Sequence, residues 1–182
     1  MSTPSPDLTV LRQWLLDANQ TPILEIAENK KSILGQLTAL TYEEDEKISD
    51  HAIKATGVSA CIIAKRNPEY VRNYLLRLFW LVNDESGGIC WRAPELIGEI
   101  LHLCPQFSQF FPMLISLLDL EEEDAPRFRM GTLWAVGWVA QVAKDAMSPA
   151  LPRVRSFISF DDSVDIEMKK MAIWCEKQLT AG

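Results

Sequence analysis

Residues 81–102 read LVNDESGGICWRAPELIGEILH. The stretch predicts the end of one helix, a tight turn and the start of a second helix. Asn83, Asp84, Glu85 and Ser86 offer side chains that bond their own backbone, and Gly87 and Gly88 tolerate positive φ, so the first helix stops here. Pro94 falls early in the second helix, where its missing N–H leaves no bond unmade.

The same pattern repeats along the chain. A small residue recurs in the second helix of each unit, at Gly57, Gly98, Gly137 and Cys175, at intervals of 41, 39 and 38 residues. Fourteen residues before each stands an acid: Glu43, Asp84, Glu123 and Asp161. Five residues before the first three lie Ala52, Ala93 and Thr132, while the fourth unit departs with Lys170. Glycine inside a helix costs about 1 kcal/mol against alanine, so three in register imply that each admits the close approach of its partner helix. An acid ahead of the second helix suits the positive end of the helix dipole.

The expected units are 30–65, 68–103, 107–143 and 149–179, with helix pairs at 30–40 and 46–65, 68–82 and 91–103, 107–120 and 126–143, and 149–160 and 163–179. Ahead of them, residues 1–29 hold a short tail and a helical cap. Asp7 opens a helix with Leu8, Leu11 and Leu15 on its apolar face and Trp14 to one side, and Pro22 opens a second helix. No strand is expected. Two helices per roughly 40 residues is the period of HEAT and armadillo arrays. The expected fold is all-α: a right-handed α-solenoid (α-α superhelix) of about four helical hairpins behind an N-terminal helical cap, forming one structural domain.

Composition narrows the function. The chain of 182 residues is long enough for a substantial core. Its 25 acidic and 18 basic side chains leave a net charge of −7, which repels a phosphate backbone and argues against general nucleic-acid binding. No apolar run approaches the roughly 18–20 residues that span a bilayer, and the first residues lack the basic and hydrophobic segments of a secretory signal. The expected location is cytoplasmic, away from membranes. Cys61, Cys90, Cys104 and Cys175 form no Cys-x-x-Cys pair and sit among apolar neighbours. They are expected to be unpaired, acting as small buried hydrophobes.

At residues 83–100, NDESGGICWRAPELIGEI, the chain resembles the HEAT-like repeat proteins, of the short-repeat kind named for phycobilisome-lyase (PBS-lyase) subunits, and looks like small uncharacterised prokaryotic members. The resemblance extends over residues 30–179. It implies a solenoid that scaffolds or binds, and no catalytic motif of the phycobilin lyases can be placed on residues of this chain.

The candidate site lies on the second helix of the second unit. Arg92, Glu95, Glu99 and His102 are spaced 3, 4 and 3 apart and share one face, opposite Ala93, Ile97, Ile100 and Leu101. In solenoids of this class the second helices line the concave surface. The matching positions 39 residues on are Gly131, Trp134, Trp138 and Gln141; those 41 back are His51, Lys54, Val58 and Cys61. The register therefore sets two carboxylates beside two tryptophans, with His51 on the other side. Like charges four apart repel unless a cation is near, and tryptophans on such a face suit a groove that contacts a partner. A solvated helix face, or packing between repeats for Trp134, explains the same residues without a partner.

The expected binding set is Arg92, Glu95, Glu99, His102, Trp134, Trp138 and His51, facing another protein that presents a lysine, an arginine or another organic cation. Glu99 and His102 match the Glu-x-x-His spacing of di-metal bundles, but no second pair exists. The 83–88 turn lacks the ligand pattern of an EF-hand, and the acidic run at 121–124 fits a solvated loop. No metalloprotease, phosphate-loop or serine-elbow motif occurs. Catalytic residues, cofactors and metals are thus expected to be none. The function expected is a non-catalytic protein-interaction or scaffold module. The alternative is a small-molecule or nucleobase-handling enzyme of HEAT-like fold, lyase or DNA-glycosylase-like, which the acidic charge and the absence of a basic stripe disfavour.

Overall fold

Asp7 opens the first helix as its position suggests: its side chain accepts the Thr9 N–H at 3.3 Å at the head of α1 (Leu8–Leu16). The computed structural model describes residues 6–82, 91–120, 126–159 and 166–181. Among these, every regular element is helical and no strand occurs. The all-α expectation holds. The turn at 83–88, Asp84, Glu123 and Asp161, the acidic run at 121–124, Cys90 and the tail at 1–5 lie outside the described residues. Contacts divide the chain into two compact units, Met1–Arg77 and Leu78–Gly182.

In the first unit, α1, α2 (Thr21–Ala27) and α3 (Ile33–Leu40) all pack on α4 (Glu46–Ala64). Leu11 and Leu15 of α1 are buried as their spacing predicts, with Ile23, Leu34, Leu37, Ile48 and Ala52. Leu8, expected on the same face, is exposed, because it sits in the first turn before α1 reaches its neighbours. Asp45, not Glu43, caps α4 by accepting the Lys47 N–H at 2.9 Å. Glu43 instead pairs with Arg12 of α1 at 3.2 Å. Thr38 of α3 and Tyr74 of α5 (Pro68–Val82) share a hydrogen bond of 2.6 Å.

In the second unit, α8 (Pro126–Met147) lies between α6 (Ala93–Leu103) and α10 (Ile166–Thr180). Helix α7 (Phe111–Ser116) packs on α8, and α9 (Leu151–Ser159) packs on α10. The helix expected over 107–120 is broken into a 3-10 turn, Pro105–Phe110, then α7, then a second turn, Leu117–Asp119. Pro105 and Pro112 each force a new helical start, and Phe107 between them has left helical geometry at φ −102° and ψ 19°.

The repeated glycines have a different partner from the one expected. Gly98 and Gly137 face α8 and α10, and not the helices that directly precede their own. A Cβ at Gly98 of α6 would lie 2.6 Å from Ala135 Cβ and 2.8 Å from Ala135 Cα of α8. A Cβ at Gly137 of α8 would lie 2.5 Å from the Trp174 ring of α10. Both contacts step 37 residues along the chain, 98 to 135 and 137 to 174. Cys175, the fourth small residue, is buried, and burial pushes its thiol up to about 12. The residues five before each glycine, Ala52, Ala93 and Thr132, are buried as well.

The expectation of four unpaired cysteines is corrected. Cys175 is free and buried, but Cys61 and Cys104 are both disulfide-bonded. Nothing in the spacing signals this, because partners distant in sequence meet only through tertiary packing. Protein unfolded without reductant is expected to show two fewer free thiols than the same sample after reduction. Equal counts, with air oxidation controlled, would contradict the pairing.

Candidate functional site

The site is built along the seam where α6 and α8 meet. Helix α6 begins at Arg92, whose backbone (φ −102°, ψ 10°) stands outside the helix and whose side chain caps none of its amides. The guanidinium instead reaches one turn forward, Nε standing 2.7 Å from Glu95 Oε1. From Ala93 to Leu101 every residue of α6 is buried, and this includes Glu95 at 8% and Glu99 at 7% exposure. A solvated stripe is therefore excluded for these two carboxylates, and they do not line an open groove either. Trp134 and Trp138 of α8 meet α6 at Gly98 and His102, and Arg92 supplies from within the chain a cation for Glu95.

Gly131 is what lets α8 close on Glu95. A Cβ there would lie 2.6 Å from the Glu95 carboxyl carbon, so any side chain would displace the carboxylate. Burial is the largest influence on Glu95 and pushes its carboxyl up from 4.5 to about 7. Arg92, the backbone N–H of Glu95 and, more remotely, Arg127 act in the opposite direction without overcoming it. Oε2 of Glu95 is buried with no hydrogen-bond partner among the described residues.

Three rings continue the seam. Trp134 stacks on Trp138 with centroids 5.6 Å apart and planes 16° apart. Trp138 stacks in turn on His102 at 4.2 Å and 17°. His102 Nδ1 donates to the Trp138 carbonyl at 2.8 Å, which fixes the ring and assigns its proton to that nitrogen in the neutral form. Trp134 also lies over Gly98, its ring 3.5 Å from the position of a Cβ. Both tryptophans are half-buried, and Trp138 Nε1 is buried without an acceptor among the described residues.

Of the residues expected to act together, Arg92, Glu95, Glu99, His102, Trp134 and Trp138 all lie on these two helices. His51 belongs to the first unit, where its Nδ1 donates to the Leu15 carbonyl at 2.6 Å and ties α4 to α1. Two contributors stand outside the expected set. Gly131 carries only its register match as a signal, and Arg127 has none beyond lying one turn before it. Chemically, the seam offers a carboxyl that exchanges its proton near neutrality and an aromatic ledge whose ring faces attract cations. Among the described residues, no three His, Cys, Asp or Glu side chains gather to hold a metal ion, and no helix is long and apolar enough to cross a membrane.

No family model matches the chain. Over 122 residues, 66% of its length, it is 32% identical to a protein of Archaeoglobus fulgidus described as an uncharacterized protein. The match spans 61% of that relative's own length.

Proposed function

We propose that the chain is a right-handed α-solenoid of about four HEAT-like hairpins, acting as a non-catalytic interaction or scaffold module. Its second helices form the binding face, and the partner is a protein that presents a lysine or arginine side chain to the α6–α8 seam. The solenoid part is supported by the 37-residue step that carries Gly98 onto Ala135 and Gly137 onto Trp174. That step is what stacked repeats with nearest-neighbour interfaces require.

One observation carries the functional part. A half-exposed ledge of stacked rings, ending on a buried indole N–H without an acceptor, lies along a helix that holds two buried carboxylates. Buried polar groups are nearly always satisfied in native proteins, so an orphaned donor next to an aromatic face marks a place for a ligand with a carbonyl and a cation, as a peptide has.

The test uses Nα-acetyl-lysine and Nα-acetyl-arginine methylamides, with the norleucine analogue as the neutral control. The Trp138 indole N–H resonance, assigned through Trp138→Phe, is expected to shift saturably with the two cations and far less with norleucine. Glu99→Gln is expected to weaken the response severalfold, as loss of a charged partner beside an aromatic face does. Absence of any shift, or an equal shift with norleucine, would reject this site.

A further inference from the structure

Glu95 is, with Glu99, one of two buried acids among the described residues. One oxygen is held at 2.7 Å by Arg92, the other is buried against Gly131 without a partner, and the carboxyl belongs to the face along which the Trp134–Trp138–His102 ledge runs. A carboxyl held so has two stable forms. Ionised, it pairs with Arg92; protonated, it leaves the seam with one negative charge fewer.

We propose that Glu95 is the proton-controlled element of the cation site: the ledge holds a lysine or arginine side chain tightly when Glu95 is ionised and weakly when it is protonated, so that partner binding is coupled to release of a proton. The inference rests on the cation-binding reading above and adds its regulation. Contact between Glu95 and the cation is not required. The carboxylate acts through its field, which is strong where little water intervenes.

The other charged and titratable groups on the packed elements are few. Helix α6 itself brings Arg92, Glu99 and His102, and the facing turns of α8 bring Arg127 and Arg129. The Pro105–Phe110 turn and α7 carry no charged side chain. Protonation of Glu99 or of His102 would act with the same sign, since either makes the seam more positive by one charge, and loss of the pH dependence in Glu95→Gln is what separates Glu95 from both. The position of Glu95 supports the assignment: burial, its largest influence, sets its proton exchange at about 7, where a modest change in pH alters its charge.

The experiment measures binding of Nα-acetyl-lysine methylamide at pH 6 and pH 8, for the wild type, Glu95→Gln and His102→Gln. The wild type is expected to bind about tenfold more tightly at pH 8, from the linkage of one proton exchanging near 7 to one bound cation. The dependence should vanish in Glu95→Gln and persist in His102→Gln. In parallel, the side-chain carboxyl carbon of Glu95 in the free protein should titrate with a midpoint near 7 by NMR, which keeps the inference testable if a variant folds poorly. Equal wild-type binding at the two pH values, persistence of the dependence in Glu95→Gln, or an ordinary carboxylate midpoint for Glu95 would each overturn the proton control while leaving the cation site standing. No binding at either pH would overturn both.

Discussion

Replacing Gly98 by leucine is expected to destabilise the protein by about 3 kcal/mol, and even alanine there is expected to cost about 1 kcal/mol. In an unobstructed helix the alanine change has the opposite sign, a gain of up to ~1 kcal/mol from helix propensity. Gly98 is obstructed by atoms that cannot swing away: its added Cβ would lie 2.6 Å from Ala135 Cβ and 2.8 Å from the Ala135 Cα in the α8 backbone. Room can be made only by moving α8 away from α6, which loosens the packing of the two helices. Gly35 supplies the control. It lies inside α3, and nothing comes within 4 Å of a Cβ built on it, so Gly35→Ala should be neutral or stabilising. Denaturant melts of Gly35→Ala, Gly98→Ala and Gly98→Leu should therefore fall on both sides of the wild type. A stabilising Gly98→Ala would mean that the two helices do not approach as closely as described.

The helices are legible in the sequence because their punctuation is local. Asp7, Pro22, Pro68 and Pro94 mark helix starts through groups within a turn of themselves, and those starts fall where the sequence places them. The spacing of Gly57, Gly98 and Gly137 is legible for the same reason, since a helix tolerates glycine only at a cost. What the glycines face is not. A periodic small residue reports that something comes close, and it does not tell a hairpin partner from the next repeat. The break within 107–120 is hidden too, although Pro105 and Pro112 both stand in the sequence, because the apolar periodicity runs straight across it.

The candidate site is legible as a juxtaposition and illegible as an environment. Register alone brings Glu95 and Glu99 of α6 toward the Trp134–Trp138 stretch of α8, but the contacts at Gly98, Gly131 and His102 step 36 or 37 residues along the chain, about a turn short of the 39 that the register gives. Spacing of 3, 4 and 3 looks the same whether the face meets water or another helix, so the depth of Glu95 and Glu99 cannot be read from it. Spacing also groups Arg92 with the acids as a further ligand-binding residue, yet it occupies the Glu95 carboxylate itself. Its place at the head of α6 sets a cation at the wrong end of the helix dipole, which shows how much of its position depends on Glu95. The cysteines make the same point about distance: pairing depends on which helices meet, and four widely spaced residues do not encode that.

Stability should fall by about 2.5 kcal/mol as pH rises from 5 to 8, and the decline should be absent from Glu95→Gln. The sign follows from the direction in which burial moves the carboxyl. Burial raises it from 4.5 to about 7, so between these values the folded protein keeps a proton that the unfolded chain has already lost. The folded state is favoured while that proton is bound. Its advantage is complete below the unfolded value, declines as pH climbs through the window, and is gone once pH passes the folded value. A tenfold difference in proton affinity between the folded and unfolded chain is worth about 1.4 kcal/mol, and with Glu95 only 8% exposed little of it is lost to solvent screening. Most acids among the described residues stand at the surface, where water solvates the carboxylate in the folded and the unfolded chain alike, so they tilt this window little. Glutamine mimics the protonated side chain in shape and charge and cannot ionise, which makes the difference between the two proteins the quantity to measure. Chemical denaturation of both at pH 5, 6, 7 and 8 should give curves that diverge steadily, with the wild type losing ground above pH 5 and levelling off beyond pH 7. A wild type whose stability tracks that of Glu95→Gln across this range would show that the seam tolerates the charge, with Arg92 compensating it in full.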